Sequence, residues 1–429
     1  MNIYQKDQLT DFMHKFESRR LEISRDVEKA VADILQNVQQ YGDRALVEYA
    51  QRFDRVNLNV HPLRVPEETL QQAHAQLDPE LLDVLRGSRD NIKRYHEKAI
   101  PQSWLTWEDD GVVLGRRVQP LERVGVYVPG GLAAYPSSLL MGAVPAQVAG
   151  VAQICVTTPC NAEGKMNPLI LAAAWELGIE NVYRVGGAHA VAGMAFGTDT
   201  IPRVDKIVGP GNIYVATAKK MLYGQCGIDM VAGPSEVLII ADESADPAFA
   251  AADLLAQAEH DPLASSILVT PSSEVAKAVA IETEQQLLKL DRVEILNSSL
   301  AEYGGILLLD SMQECVEISN RLAPEHLGLH VRDPWTLLGD IKNAGAIFLG
   351  HYSPEAVGDY WAGPNHVLPT NGSARFFSPL RTEDFVKVSS LISYTQTAMQ
   401  KHGEKIRRFA ESEGLDAHAS AIEKRMDSL

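Results

Sequence analysis

From about residue 124 the chain alternates short β-rich runs with helical stretches, and few architectures accept that rhythm. "VGVYVPGG", "ICVTTP", "NVYRVGG" and "VDKIVGPG" are rich in β-branched and aromatic residues, and most close on glycine or proline. Between them lie segments such as "NPLILAAAWELG", where Asn167 can cap, Pro168 suits the first turn and Gly178 ends the helix. A second series follows a seam near residue 235. "EVLIIAD", "SSILVTP", "GGILLLD" and "AGAIFLG" read as strands, with helices at "DPAFAAADLLAQAEH" and residues 274–288. Strand–helix alternation of this kind argues for an α/β fold of two units, each a mostly parallel sheet with helices on its faces.

The flanks read differently. Val27, Val31, Ile34, Leu35 and Val38 recur at helical spacing between a cap at Ser24 and a stop at Gly42. After residue 378 the chain turns helical and polar, with no further strand series. The expected organisation is an N-terminal extension (1–21), a discontinuous α/β domain (22–125 with 236–378), a Rossmann-like α/β domain (126–235) and a helical tail (379–429).

Thirty-nine basic residues against 56 acidic ones give a net charge of −17, a field that repels phosphate backbones and argues against nucleic-acid binding. No apolar run reaches bilayer length, and the first sixteen residues lack the apolar centre of a secretory signal. The expected address is the cytoplasm. Cys155, Cys160, Cys226 and Cys315 include no C-x-x-C pair, so neither a disulfide framework nor a thiolate zinc site is suggested.

Four stretches could carry chemistry. In "LAPEHLGLH", Glu325 and His326 stand side by side before a short strand, as a solvated ion pair or an acid–base pair. In "LLAQAEHDP", Gln257 and His260 are three residues apart, on one helix face, and both can ligate zinc. "AVGDYWAGPNHVLPT" sets Asp359 and His366 in a glycine- and aromatic-rich loop. In "ESEGLDAH", Glu413 and His418 flank a corner where Gly414 ends one helix and Asp416 caps the next. The glycines at 130–131, 186–187 and 209–211 follow strands. They serve tight turns or bring backbone N–H groups to a pyrophosphate; none forms a clean G-x-G-x-x-G.

Taken together and in order, "RVGVYVPGG", "VDKIVGPGN", "DMVAGPSEVLIIAD", "LLAQAEHD", "LAPEHLGL", "VGDYWAGPNHVLPT" and "EGLDAH" closely resemble the histidinol dehydrogenase family, from about residue 25 to the C-terminus. The resemblance implies an incomplete Rossmann-like fold and a homodimer that shares tail residues between active sites. It implies one Zn²⁺ per subunit on Gln257, His260, Asp359 and the partner's His418. Glu325 and His326 match the acid–base pair. Ser235, Gln257, His260, His326, Asp359, Glu413 and His418 match residues that hold L-histidinol, and Tyr127, His189 and Asn212 match NAD contacts. Two positions depart from the family pattern: His189 stands where glutamine is usual, and Asp261-Pro262 replaces a common glycine after the zinc histidine.

The implied reaction is a four-electron oxidation of L-histidinol to L-histidine, with His326 taking protons and Glu325 activating the water that adds to the bound aldehyde. A relative acting on another small alcohol, such as a sulfonated propanediol, is disfavoured by Glu413, which would repel a sulfonate. A zinc-binding protein without catalysis is disfavoured by the presence of both Glu325 and His326.

Overall fold

The computed structural model describes residues 1–18, 25–130 and 135–428. Ser24 and Gly131 lie outside the described residues. The chain divides into two compact units, Met1–Ala99 with Leu121–Phe385, and Ile100–Pro120 with Val386–Leu429.

The larger unit contains two parallel sheets. One runs β6 (Asn181–Arg184), β5 (Gln153–Thr158), β4 (Arg123–Tyr127), β7 (Lys206–Val208), β8 (Gly227–Ile228). The other runs β1 (Ile3–Tyr4), β11 (Gly304–Leu308), β10 (Ser265–Thr270), β9 (Glu236–Ala241), β12 (His326–His330), β13 (Ala346–Leu349). Numbered from β4 and from β9, each sheet has its strands in the order 3-2-1-4-5, with β1 added at the edge of the second. Such an order reverses direction once, between β4 and β7 in one sheet and between β9 and β12 in the other. A crevice opens at such a reversal.

Periodicity explains why these segments become strands. All residues of β9, β10 and β12 are buried, because helices cover both faces of a parallel sheet. Val124, Val126, Ile154 and Val156 pack with Leu139 and Val144 on one side of the five-stranded sheet. Val31, Ile34, Leu35 and Val38, all on the helix Arg25–Tyr41, join a second cluster with Tyr183, Val191 and Ile207. The chain leaves this helix through Gly42, whose φ is +52°. Asn167 caps as expected, its Oδ1 accepting from the Leu169 N–H at 2.9 Å. No helix among the described residues is long and apolar enough to cross a membrane.

The smaller unit corrects one expectation. The tail begins with a strand, β14 (Val386–Ser393), antiparallel to β3 (Val113–Pro120), which pairs with β2 (Trp104–Trp107). The apolar and β-branched residues of "VKVSSLIS" suit a strand. All but the first are exposed in the chain, so no clean one-sided pattern marks it. The helices Gln396–Ser412 and Asp416–Met426 follow. Gly414, at φ +72°, turns the chain between them. Asp416 is the first residue of its helix and not its cap; Leu415 holds the cap position without a side-chain bond.

Candidate functional site

Strand pairing brings Glu325 and His326 against one residue of the neighbouring strand. β9 and β12 are parallel neighbours, with His326 opposite Val237. The backbone of Glu236 at the start of β9 therefore faces both side chains. Its N–H donates to Glu325 Oε2 at 2.9 Å, and its carbonyl lies 3.0 Å from His326 Nδ1. A carbonyl can only accept, so Nδ1 carries the proton and Nε2 offers the lone pair that a base needs. Both side chains are buried. Burial lowers the His326 pKa to about 3, keeping the ring neutral near neutral pH.

Polar groups from two other segments converge on this ring. Gln257 lies in the last turn of the helix Pro247–Ala258 and is fully buried. With its amide nitrogen toward Glu355, it donates to both carboxylate oxygens at 2.7 Å. The opposite orientation would set an oxygen against acceptors alone. The same nitrogen is 3.2 Å from His326 Nδ1. Because Nδ1 already donates to Glu236, that contact is proximity and not a bond. The amide Oε1, the atom able to ligate, then points away from that carboxylate. Glu355 Oε1 lies 3.8 Å from His326 Nε2.

His260, two residues beyond the helix, together with Glu355 and Asp359, presents ligand atoms that all lie within 4.8 Å of one another. His366 adds Nδ1 at 3.8 Å from Asp359 Oδ1. Burial raises the Asp359 pKa to about 6. Burial also drives the Glu355 pKa well above the usual range, with the charges of Asp359, Glu325 and Asp253 adding to it. Acids crowded this way with little water are relieved by a cation in their midst. Imidazole, carboxylate and amide donors without thiolate fit Zn²⁺. Sequence reasoning missed Glu355. Its signal was the four-residue spacing to Asp359, one helical turn, across the junction from Glu355–Val357 into Gly358–Ala362.

The positions matched to NAD contacts gather at the carboxyl ends of the five-stranded sheet. Tyr127 ends β4, is buried, and accepts from the Gly187 N–H at 3.1 Å through its hydroxyl. Asn212 caps the helix Ile213–Leu222, with Oδ1 accepting from Tyr214 and Val215 at 3.1 and 3.2 Å. That commits the oxygen and leaves the exposed amide NH₂ for a ligand. His189, on the helix Gly187–Phe196, is 2 % exposed, its ring 5.7 Å from that of Tyr49 and 5.9 Å from that of Phe53. Neither ring nitrogen has a hydrogen-bond partner among the described residues, and burial lowers its pKa to about 3. The glycine turns suit a nucleotide: a Cβ at Gly209 would sit 2.2 Å from the Tyr127 carbonyl oxygen, and one at Gly130 would sit 2.3 Å from Pro159 Cγ. Such close backbone packing, ahead of two helix N-termini, is the setting in which a pyrophosphate binds.

The larger unit thus brings together Gln257, His260, Glu325, His326 and Asp359. Half-buried Ser235 lies directly ahead of Glu236. Glu413 and His418 belong to the smaller unit, both exposed, one closing the helix Gln396–Ser412 and the other on Asp416–Met426.

A histidinol dehydrogenase family profile matches residues 17–426. A histidinol dehydrogenase of Geobacillus kaustophilus is 53% identical over 399 residues, 93% of this chain and 94% of the relative. One from Synechococcus is 52% identical over 402 residues, 94% of this chain and 93% of the relative. The crystal structure of histidinol dehydrogenase from Elizabethkingia anophelis superposes with a TM-score of 0.94 at 37% identity, covering 100% of this chain and 98% of that one. With Glu325 and His326 seated beside a converging donor set, the chain belongs to the histidinol dehydrogenase family of oxidoreductases.

Proposed function

We propose that this enzyme oxidises L-histidinol to L-histidine through bound L-histidinal, consuming two NAD⁺ and using one Zn²⁺ per subunit, in the last steps of histidine biosynthesis in the cytoplasm. The observation that carries this reading is the backbone of one residue, Glu236, whose N–H and C=O hold Glu325 and His326 in place beside Gln257, His260 and Asp359.

His326 Nε2 takes the proton of the substrate hydroxyl as hydride leaves the same carbon. The Glu236 carbonyl, bonded to Nδ1–H, steadies the imidazolium that forms. Glu325 then draws a proton from the water that adds to the aldehyde while His326 returns its proton to the aldehyde oxygen; the ring, neutral again, takes a hydroxyl proton as the hydrate gives up its hydride to the second NAD⁺, and Glu325 releases its proton to solvent. Burial of both side chains keeps bulk water from the aldehyde. Gln257, His260 and Asp359 would hold the metal, which supplies a fixed positive charge to grip the substrate's imidazole and amine. Tyr127, His189 and Asn212 would hold the nicotinamide cofactor, which accepts the hydride.

His418 and Glu413 would complete the site from the partner subunit of a homodimer. Their exposure on the smaller unit's helices leaves both accessible to a neighbour. Purified protein supplied with zinc, NAD⁺ and histidinol tests the reading: two NADH should form per histidinol consumed. One NADH would mean release of the aldehyde, and none would overturn the reading.

A further inference from the structure

The turn that carries Asn212 is gripped by a buried ion pair that no step of the reaction uses. Lys219, on the helix Ile213–Leu222, and Asp229, just after β8, have side chains 2% and 1% exposed, and they contact each other directly. Lys219 Nζ also donates to the Gly209 carbonyl at 2.9 Å. The Gly209 N–H donates to Asp229 Oδ2 at 2.8 Å, and the Met230 N–H donates to Asp229 Oδ1 at 2.6 Å.

The Gly209 N–H and C=O, on the two peptide units that flank its Cα, are therefore held by side chains of opposite charge. On its other side Gly209, at φ +116°, packs against the Tyr127 backbone so closely that no Cβ would fit. The turn, the helix it starts and the end of β4 are tied into one piece. Stability alone does not call for such a pair, since well-packed apolar residues of similar volume serve as well or better. A fixed geometry for one turn does call for it, because one charged hydrogen bond on the peptide before Gly209 and one on the peptide after it orient both planes.

We propose that Lys219 and Asp229 are positioning residues for the nicotinamide cofactor, holding Gly209–Asn212 in the binding conformation before the cofactor arrives. The proposal rests on the NAD reading above. Neither side chain touches cofactor or substrate; both act through Gly209 and the Asn212 cap.

The test uses the neutral double variant Lys219→Met/Asp229→Asn in the full-length, zinc-loaded protein, with NADH fluorescence as the direct readout. The expected result is an NADH Kd and a KM for NAD⁺ raised about tenfold to about 10²-fold, as for a group misplaced by roughly 1 Å. The KM for histidinol and the zinc content should stay within about twofold of the parent. A folded double variant that binds NADH as the parent does overturns the proposal alone. A parent protein that binds no NADH overturns the cofactor reading and the proposal with it. Should the double variant not fold, amide exchange of the parent decides. Gly209 and Met230 amides already slow to exchange without cofactor support the clamp, and amides that become slow only once NADH is added overturn it.

Discussion

The two sheets of the larger unit share a strand order and use opposite edges. In the five-stranded sheet the reversal between β4 and β7 carries Tyr127, Gly209 and Asn212 at the carboxyl ends of the strands. There glycine turns lead into helix N-termini, so peptide N–H groups face outward. In the six-stranded sheet the reversal between β9 and β12 carries Glu236, Glu325 and His326 at the amino ends. The helix Pro247–Ala258 runs back to that edge and delivers Gln257 from its last turn. Helix N-termini attract anions, and helix C-termini tolerate cations. One strand order thus yields a face suited to a pyrophosphate and another suited to a metal and a proton acceptor, and the choice of edge decides which.

The edges can be separated by mutation. The largest effect belongs to His326→Ala, which should lower kcat by about 10²–10⁴ and leave the NADH Kd unchanged by fluorescence titration. A comparable loss of NADH binding would mean that the two edges are not independent. Next, Glu355→Ala should weaken zinc binding by about 10–100-fold in chelator competition, because Gln257 loses the carboxylate that orients its amide. Unchanged zinc affinity would remove Glu355 from the site. Asn212→Ala should raise the KM for NAD⁺ with little change in the KM for histidinol, and should cost about 1 kcal/mol of stability in a denaturant melt through the lost cap.

The smallest effect belongs to a residue on neither edge. Glu176 accepts from Arg86 at 3.0 and 3.1 Å, pairs with His74 at 2.8 Å and with Arg89 at 2.6 Å, and the Arg86 guanidinium foremost lowers its pKa to about 2. A depressed carboxylate stabilises the fold above its ordinary pKa and loses that contribution as pH falls. Glu176→Gln should therefore melt earlier than the parent at pH 7, and the gap should close between about pH 4.5 and pH 2. Both chemistries should continue at neutral pH; loss of either would show that the scaffold reaches one of the edges.

Much of the fold was legible because buried parallel strands leave short apolar runs bounded by glycine and proline, as at Arg123–Tyr127 and Glu236–Ala241. β14 was not, because nearly all of its side chains are exposed and one-sided burial is what marks a strand. The candidate ligands Gln257 and His260 were marked by a three-residue spacing, though the helix ends at Ala258 and His260 lies beyond it, so the two do not share a helix face. Which distant residues they meet could not be read, because the register of β9 against β12 is a tertiary fact and no local period encodes it. The family resemblance supplied those partners. It did not supply Glu355, whose spacing to Asp359 spans a change of helix type, or the depth at which His189 is buried.

The backbone of Glu236 carries a last consequence. Every amino acid except proline brings the same N–H and C=O, so the contacts to Glu325 and His326 depend on where this stretch of backbone lies and not on the chemistry of its side chain. The side chain there answers to a different neighbour, the Asn371 amide, at 3.2 Å. A proline at 236 would remove the N–H that Glu325 accepts from and so release that carboxylate from the strand.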